Sequence, residues 1–295
     1  MSESKARGKR RILLQLDPDA NPSVFDGVVA VDAGAEFLFR HGNVSTNDVR
    51  NLIYGLMFTR GGNDLRNSAV FIGGSDVAAA DAILEEVTKT FFGPVRVSVM
   101  ADPSGANTTA AAAVVVAGRH LELQKSKIAV LAATGPVGQR VARLLCRCGS
   151  EVVVVSRKQD RATKVANKIS ESVEDAKIRV AECSDSQQTE NLLSGVDGVI
   201  AAGAPGAELL SKSAWQSQHL RLMIDLNAVP PVGIEGVDPQ DRATKVAGEM
   251  TVYGAIGVGH TKMKIHKAAV AALFDANDRV LDVDEIFDLA ADLGD

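Results

Sequence analysis

Two short segments hold residues whose types and spacing have chemical consequences. In IAVLAATGPVGQRVARLL, residues 128–145, an apolar run leads into a turn carrying Ala133, Gly135 and Gly138, and the turn opens a helix on which Val141, Leu144 and Leu145 recur. Small residues at those three places allow a tight turn, a close backbone approach to a diphosphate and close packing of helix on strand. The helix N-terminus then offers N–H groups and partial positive charge to the anion. Thr134, Gly135, Pro136, Val137 and Gly138 are therefore expected to hold a dinucleotide, with alanine in the first of the three glycine places. About twenty residues on, EVVVVSRK ends in Ser156, Arg157 and Lys158. An NAD site usually has an acid there for the ribose hydroxyl, whereas a hydroxyl and two cations suit a 2′-phosphate, so NADP is the expected cofactor.

The elements that must position these residues form a βα alternation. Apolar runs at 12–16, 36–40, 69–73, 95–100, 128–133, 152–156, 198–202 and 222–226 are separated by stretches of helical period. Helix starts are marked by Ser45-Thr46-Asn47-Asp48 and Ser75-Asp76. The fold class is α/β with parallel sheets in two domains. The polar segment near 121–127 divides residues 10–122 from a Rossmann-type domain at 123–259, and helical patterns within 260–295 are expected to complete the first domain. The segment GVGHTKMK, 257–264, is expected to be a glycine-rich loop.

Composition excludes several classes. With 46% hydrophobic and 23% charged residues the chain is an ordinary globular protein. A net charge of −5, with no basic cluster beyond the first eleven residues, argues against nucleic acid as a partner. The longest uncharged stretch, between Asp102 and Arg119, is too short and polar to cross a membrane, and the apolar run after the basic start is too short for a signal core. Cys146, Cys148 and Cys183 are read as reduced thiols of a cytoplasmic protein. The five histidines lack metal-ligand spacing, so no metal is expected. Trp215 and Phe91-Phe92 are read as packing residues.

The first half carries polar clusters at the ends of expected strands: Asp26 and Asp32 in SVFDGVVAVDAGA, Arg60 in FTRGG and Asp102 in ADPSGANTTAAA. Ligands of parallel α/β sheets gather at carboxyl ends of strands. Each cluster also has an ordinary reading as a turn, a helix start, a solvated helix face or a surface ion pair.

Taken in order, DPDANPSVFDGVVAVDAGA, TRGG, FFGPVRVSVMADPSGANTTAAA, ATGPVGQR, VVVSRK, AAGAPGAELL, DLNAVPPVGIEGVD and GAIGVGHTKMKIHKA resemble the NADP-dependent methylene-tetrahydromethanopterin dehydrogenases of bacterial one-carbon metabolism. The resemblance extends over nearly the whole chain. It implies a pterin-binding domain and an NADP domain with a cleft between them, a homo-oligomer, and hydride transfer from the methylene bridge of a reduced pterin to NADP. It also implies that Lys262 is an active-site lysine that positions or polarises the pterin, and that Asp102 is a carboxylate near the pterin or the forming cation. Asp26 and Arg60 are implied pterin contacts, and Ala202, Gly203, Ala204 and Asn227 are implied to line the nicotinamide side.

Such a reaction asks little acid–base chemistry of the protein. Two nitrogens flank the methylene carbon and stabilise the cation left by the departing hydride, so positioning and a suitable field suffice. Folate dehydrogenases that also hydrolyse the methenyl product carry a Tyr-x-x-x-Lys pair; neither Tyr54 nor Tyr253 has a lysine four residues on, so the comparison implies no such hydrolysis here. Open alternatives are a dehydrogenase specific for methylene-tetrahydrofolate or for another small substrate, and an NADP-binding sensor without chemistry.

Overall fold

The computed structural model describes residues 8–183 and 186–293. Along the chain run β1 (Ile12–Leu16), α1 (Val24–Asp32), β2 (Phe37–His41), α2 (Thr46–Met57), β3 (Ser68–Ile72), α3 (Val77–Thr90), β4 (Ser98–Ala101) and α4 (Ala106–Gly118). Next come β5 (Lys127–Leu131), α5 (Pro136–Arg147), β6 (Glu151–Ser156), α6 (Gln159–Ser172), β7 (Ile178–Glu182), α7 (Ser186–Leu193), β8 (Gly198–Ala201), α8 (Lys212–Trp215) and β9 (Leu222–Asp225). The chain closes with β10 (Arg242–Val246), β11 (Met250–Tyr253), α9 (Ala255–Ala272), β12 (Val280–Leu281) and α10 (Val283–Asp292). Contacts gather these into two compact units. One holds the residues up to Asn107 together with Lys264–Leu289, and the other holds Thr108–Met263 with the residues from Ala290.

The first unit is built on a parallel sheet of order β12-β4-β3-β1-β2. Its central strands are buried along nearly their whole length, which is why they read as continuous apolar runs rather than as alternations. The order reverses at β1, so β1 and β3 feed helices to opposite sides and a crevice opens at their carboxyl ends. Helix starts agree with the capping residues. The Ser45 amide donates to the Asp48 carboxylate at 2.9 Å, and Asp76 accepts from the Ala79 amide at 3.0 Å.

The second unit holds a sheet of order β10-β11-β9-β8-β5-β6-β7, parallel except where β10 pairs with β11. The reversal here lies between β5 and β8. Strands β7, β10, β11 and β12 are additional to the eight expected. Three of them, β7, β10 and β12, are edge strands, where short or polar segments are recruited by backbone pairing rather than by apolar content.

Two sequence expectations are corrected. The segment GVGHTKMK is not a loop, because α9 runs through it from Ala255 to Ala272. Its glycine reflects close packing instead: a Cβ on Gly257 would stand 1.9 Å from the Asp241 carbonyl oxygen. Of the residues read as packing, Trp215 is buried and its indole N–H donates to the Glu235 carbonyl at 3.0 Å, whereas Phe92 is 74% exposed. Among the described residues, no helix is long and apolar enough to cross a membrane.

Candidate active site

The turn between β5 and α5 is shaped by backbone contacts. Ala132 has φ 53°, a left-handed conformation that costs an alanine about 1 kcal/mol. The Gly135 amide closes on the Ala132 carbonyl at 3.1 Å, and the Ala133 amide donates to Val155 of β6, also at 3.1 Å. Gly135 is the extended residue before α5, and Pro136 fills the first helical position, where its missing N–H costs nothing. Gly138 sits against this turn: a Cβ there would lie 2.7 Å from the Ala133 Cα and 2.8 Å from the Ala132 oxygen. Gly135 is roomier, its nearest neighbour lying at 3.6 Å. Gly135 at the cap position of α5 has no side chain to bond the first amides of the helix, which suits that end to an anionic ligand.

Beside this turn is a cavity of about 590 Å³, a size suited to part of a cofactor. Thr134, Ser156, Arg157, Lys158, Gly203 and Ala204 line it, so six of the expected nucleotide residues share one space. The Ser156 hydroxyl accepts from the Lys158 amide at 3.3 Å, holding the bend after β6. Arg161 also lines the cavity and adds a third cation one helical turn beyond Arg157. Its signal was present in SRKQDR as the i, i+4 spacing. Cys183, Thr189 and Glu208 line the cavity too, and they come from segments too far apart in sequence to be associated by spacing. The residues present fit a phosphorylated dinucleotide: a turn in which Gly138 leaves no room for a side chain, a bare helix N-terminus and three cations.

At the end of β9 the chain turns on a buried carboxylate. Asp225 accepts from the amides of Asn227 at 3.0 Å and Ile234 at 2.8 Å. Burial pushes its carboxyl above the ordinary value, and these N–H donors, with that of Gly233, pull the other way. Asn227 spends its side chain locally, donating to the Pro231 carbonyl at 3.1 Å and accepting from the Val229 amide at 2.9 Å. It is not among the residues lining the cavity, so its contribution is to shape this turn. Ala202 is tied to the end of β5 through the Leu131 carbonyl at 3.1 Å.

In the first unit, Asp26 lies in the first turn of α1, against the carboxyl end of β3. A Cβ on Gly73 would stand 3.1 Å from Asp17 Oδ2 and 3.4 Å from Asp26 Oδ2, so both carboxylates flank that glycine. Asp17, which follows β1, joins this cluster, and the sequence reading did not single it out. It is buried, its carboxyl is raised by desolvation, and it accepts from the Asp19 amide at 2.9 Å. Arg60 does not join this cluster: its Nη1 donates to the Asn67 carbonyl at 2.6 Å, just before β3 begins and therefore at the opposite end of the strand. Sequence order alone could not show which end of the strand a flanking loop would reach. Asp32 pairs with Lys267 at 2.8 Å, the ion-pair reading.

Asp102 follows β4 and is enclosed, with 1% of its surface exposed. Its Oδ1 accepts from the Asn107 amide at 2.9 Å, and its Oδ2 lies 4.0 Å from Nδ1 of the equally buried His266. Lys262 stands inside α9, half-buried, one helical turn before His266. The helical GVGHTKMK segment thus presents it from a rigid element rather than a loop.

A family model described as methylene-tetrahydromethanopterin dehydrogenase, N-terminal, matches residues 24–104, and one described as NAD(P)H-binding matches residues 132–229. The chain is 41% identical over 287 residues to the bifunctional protein MdtA of Methylorubrum extorquens, covering 96% of this chain and 99% of that protein. It is 27% identical over 294 residues to the NAD(P)-dependent methylenetetrahydromethanopterin dehydrogenase of the same organism, covering 96% and 99%. Among solved structures, ligand-free 5-ketofructose reductase of Gluconobacter sp. strain CHM43 is 14% identical with a TM-score of 0.52, covering 97% of this chain and 99% of that one. Shikimate 5-dehydrogenase of Listeria monocytogenes is 12% identical with a TM-score of 0.51, covering 98% of each. At these identities the two structures share the fold.

Proposed function

The chain belongs to the methylene-tetrahydromethanopterin dehydrogenase family, and from that premise we propose that it transfers a hydride between the methylene bridge of methylene-tetrahydromethanopterin and NADP, forming the methenyl pterin. The observation that supports the cofactor half is the gathering of Ser156, Arg157, Lys158 and Arg161 around the same cavity as Thr134. When bound, NADP supplies the nicotinamide carbon that takes up or returns the hydride. Thr134 to Gly138 hold the diphosphate, and the three cations hold the 2′-phosphate. Gly203 and Ala204, with little or no side chain, line the same cavity and would lie on the nicotinamide side.

On the pterin side, Asp26 takes N–H donors of the substrate, and Lys262 positions or polarises the pterin. The enclosed Asp102 does not reach the substrate by contact; it acts through its field, which favours the cation left on the pterin and is little screened by solvent. Arg60 is not assigned to the pterin, because its guanidinium is held at the other end of β3. The same reading makes the protein a cytoplasmic homo-oligomer. Support comes from three free cysteines and from exposed apolar side chains at Val24, Val28 and Val31 of α1 and at Phe37 and Phe39 of β2. Following NADPH absorbance with purified protein, methylene-tetrahydromethanopterin or methylene-tetrahydrofolate, and NADP or NAD tests the assignment. Turnover with the methanopterin substrate and NADP is expected, and no turnover with either pterin would leave a nucleotide-binding protein without this chemistry.

A further inference from the structure

The mechanism above makes no use of His266. Its side chain is wholly enclosed, as is that of Asp102. The ring stacks on Phe71 of β3 with centroids 5.6 Å apart and planes 18° apart, and it meets Phe25 of α1 at 6.2 Å. These contacts hold the ring in place and leave Nδ1 facing Asp102 Oδ2 at 4.0 Å. That distance is too long for a hydrogen bond but short enough for a charge–charge or charge–dipole interaction, strong where water is excluded.

The other carboxylate oxygen is held by the Asn107 amide at 2.9 Å. Asn107 is itself fastened by its side-chain amide to the Ala101 carbonyl at 2.7 Å and to Asp282 at 3.1 Å. A carboxylate that only capped α4 would need the Asn107 amide and nothing more. Placing a second ionisable side chain in the same dry space is costly unless the two are matched.

We propose that His266 is a positioning residue for the hydride step, holding the Asp102 carboxylate in one orientation through its Nδ1 edge. This rests on the reading in which the field of Asp102 favours the cation formed on the pterin. His266 touches neither substrate nor cofactor; it acts on one oxygen of Asp102 across 4.0 Å while the Asn107 amide donates to the other, so the field is set before the reaction begins.

The test is single-turnover hydride transfer, read as NADPH absorbance at saturating methylene-tetrahydromethanopterin and NADP. The variants are His266→Phe, His266→Asn, Asp102→Asn and the double variant Asp102→Asn/His266→Phe. Phenylalanine keeps the ring stack and removes the nitrogen, and asparagine restores a polar nitrogen near the Nδ1 position. His266→Phe is expected to slow the step roughly tenfold or more with pterin affinity unchanged, and His266→Asn to recover most of the loss. The double variant is expected to be no slower than Asp102→Asn alone, a coupling that a purely structural histidine would not produce. A wild-type rate in His266→Phe, no recovery in His266→Asn, or a double-variant defect equal to the product of the two single defects would overturn the proposal. If His266→Phe does not fold, His266→Leu paired with Asp102→Asn carries the same comparison, since leucine also removes the nitrogen. A wild-type rate in Asp102→Asn would remove the reading of Asp102 and this proposal with it, whereas a slow Asp102→Asn beside an unaffected His266→Phe removes the proposal alone.

Discussion

A methyl group on Gly138 would stand 2.7 Å from the Cα of Ala133, a distance that real Cβ atoms do not adopt toward backbone. Helix α5 and the turn after β5 are therefore in contact with no room for a side chain between them, and the alanine at 133 is tolerated because the close approach is provided by the glycine at 138.

Gly138→Val is accordingly expected to abolish NADP binding in a calorimetric titration, since both opposing atoms belong to the backbone and cannot rotate away. Gly135→Ala, with its nearest neighbour at 3.6 Å, should bind nearly as the wild type does. Unchanged binding in the valine variant would mean that the phosphate site lies elsewhere.

Removing one charge-assisted contact to a phosphate weakens binding by about tenfold to a hundredfold. Arg157→Ala should raise the KM for NADP by that order and leave the value for NAD almost unchanged, and Arg161→Ala should act in the same direction. Steady-state kinetics with the two cofactors decides, and equal effects on both would contradict a 2′-phosphate contact.

Lys262→Ala should lower turnover with methylene-tetrahydromethanopterin by roughly tenfold to a thousandfold, the range seen when a preorganised polar group is lost, with little change in NADP affinity. Full activity together with unaltered pterin affinity would leave Lys262 as an ordinary half-buried lysine of α9.

The two ends of β3 make opposite predictions for two residues that sequence alone treats alike. Asp26→Asn should raise the KM for the pterin, whereas Arg60→Ala should leave it unchanged, because that guanidinium is engaged by Asn67 at the amino end. A pterin KM raised equally in both would put Arg60 back beside the substrate.

Asp225 allows a test by pH. Its carboxyl is raised by burial, so between the ordinary value of about 3.9 and the raised one the folded chain binds more protons than the unfolded chain. Stability from this group therefore grows as pH falls through the raised value, and it is lost again as pH rises. Thermal melts should show wild type gaining on Asp225→Asn as the solution is taken from neutral pH toward about pH 4. At neutral pH the variant should be weakened by about 1 kcal/mol, because an amide N–H replaces one acceptor facing the Asn227 and Ile234 amides. A stability difference that does not vary with pH would count against the burial argument.

The local features of this protein were legible in its sequence. The order of strands and helices, the caps at Ser45 and Asp76, the small residues of the nucleotide turn and the cations after β6 each depend on residues within a few positions of one another, where backbone conformation and helical period act directly. The roles proposed for Lys262 and Asp102 rest on the family motifs. What only the tertiary structure decided is which distant residues share a space: Asp17 and Asp26 around Gly73, His266 against Asp102, Cys183 and Glu208 in the cavity beside the β5–α5 turn, and Arg60 at the other end of β3 from Asp26. It also turned the glycine-rich 257–264 segment into helix, because Gly257 is needed for close packing against Asp241 rather than for a turn. Burial and close approach are set by elements far apart along the chain, and a residue's type and near neighbours do not encode what will be packed against it.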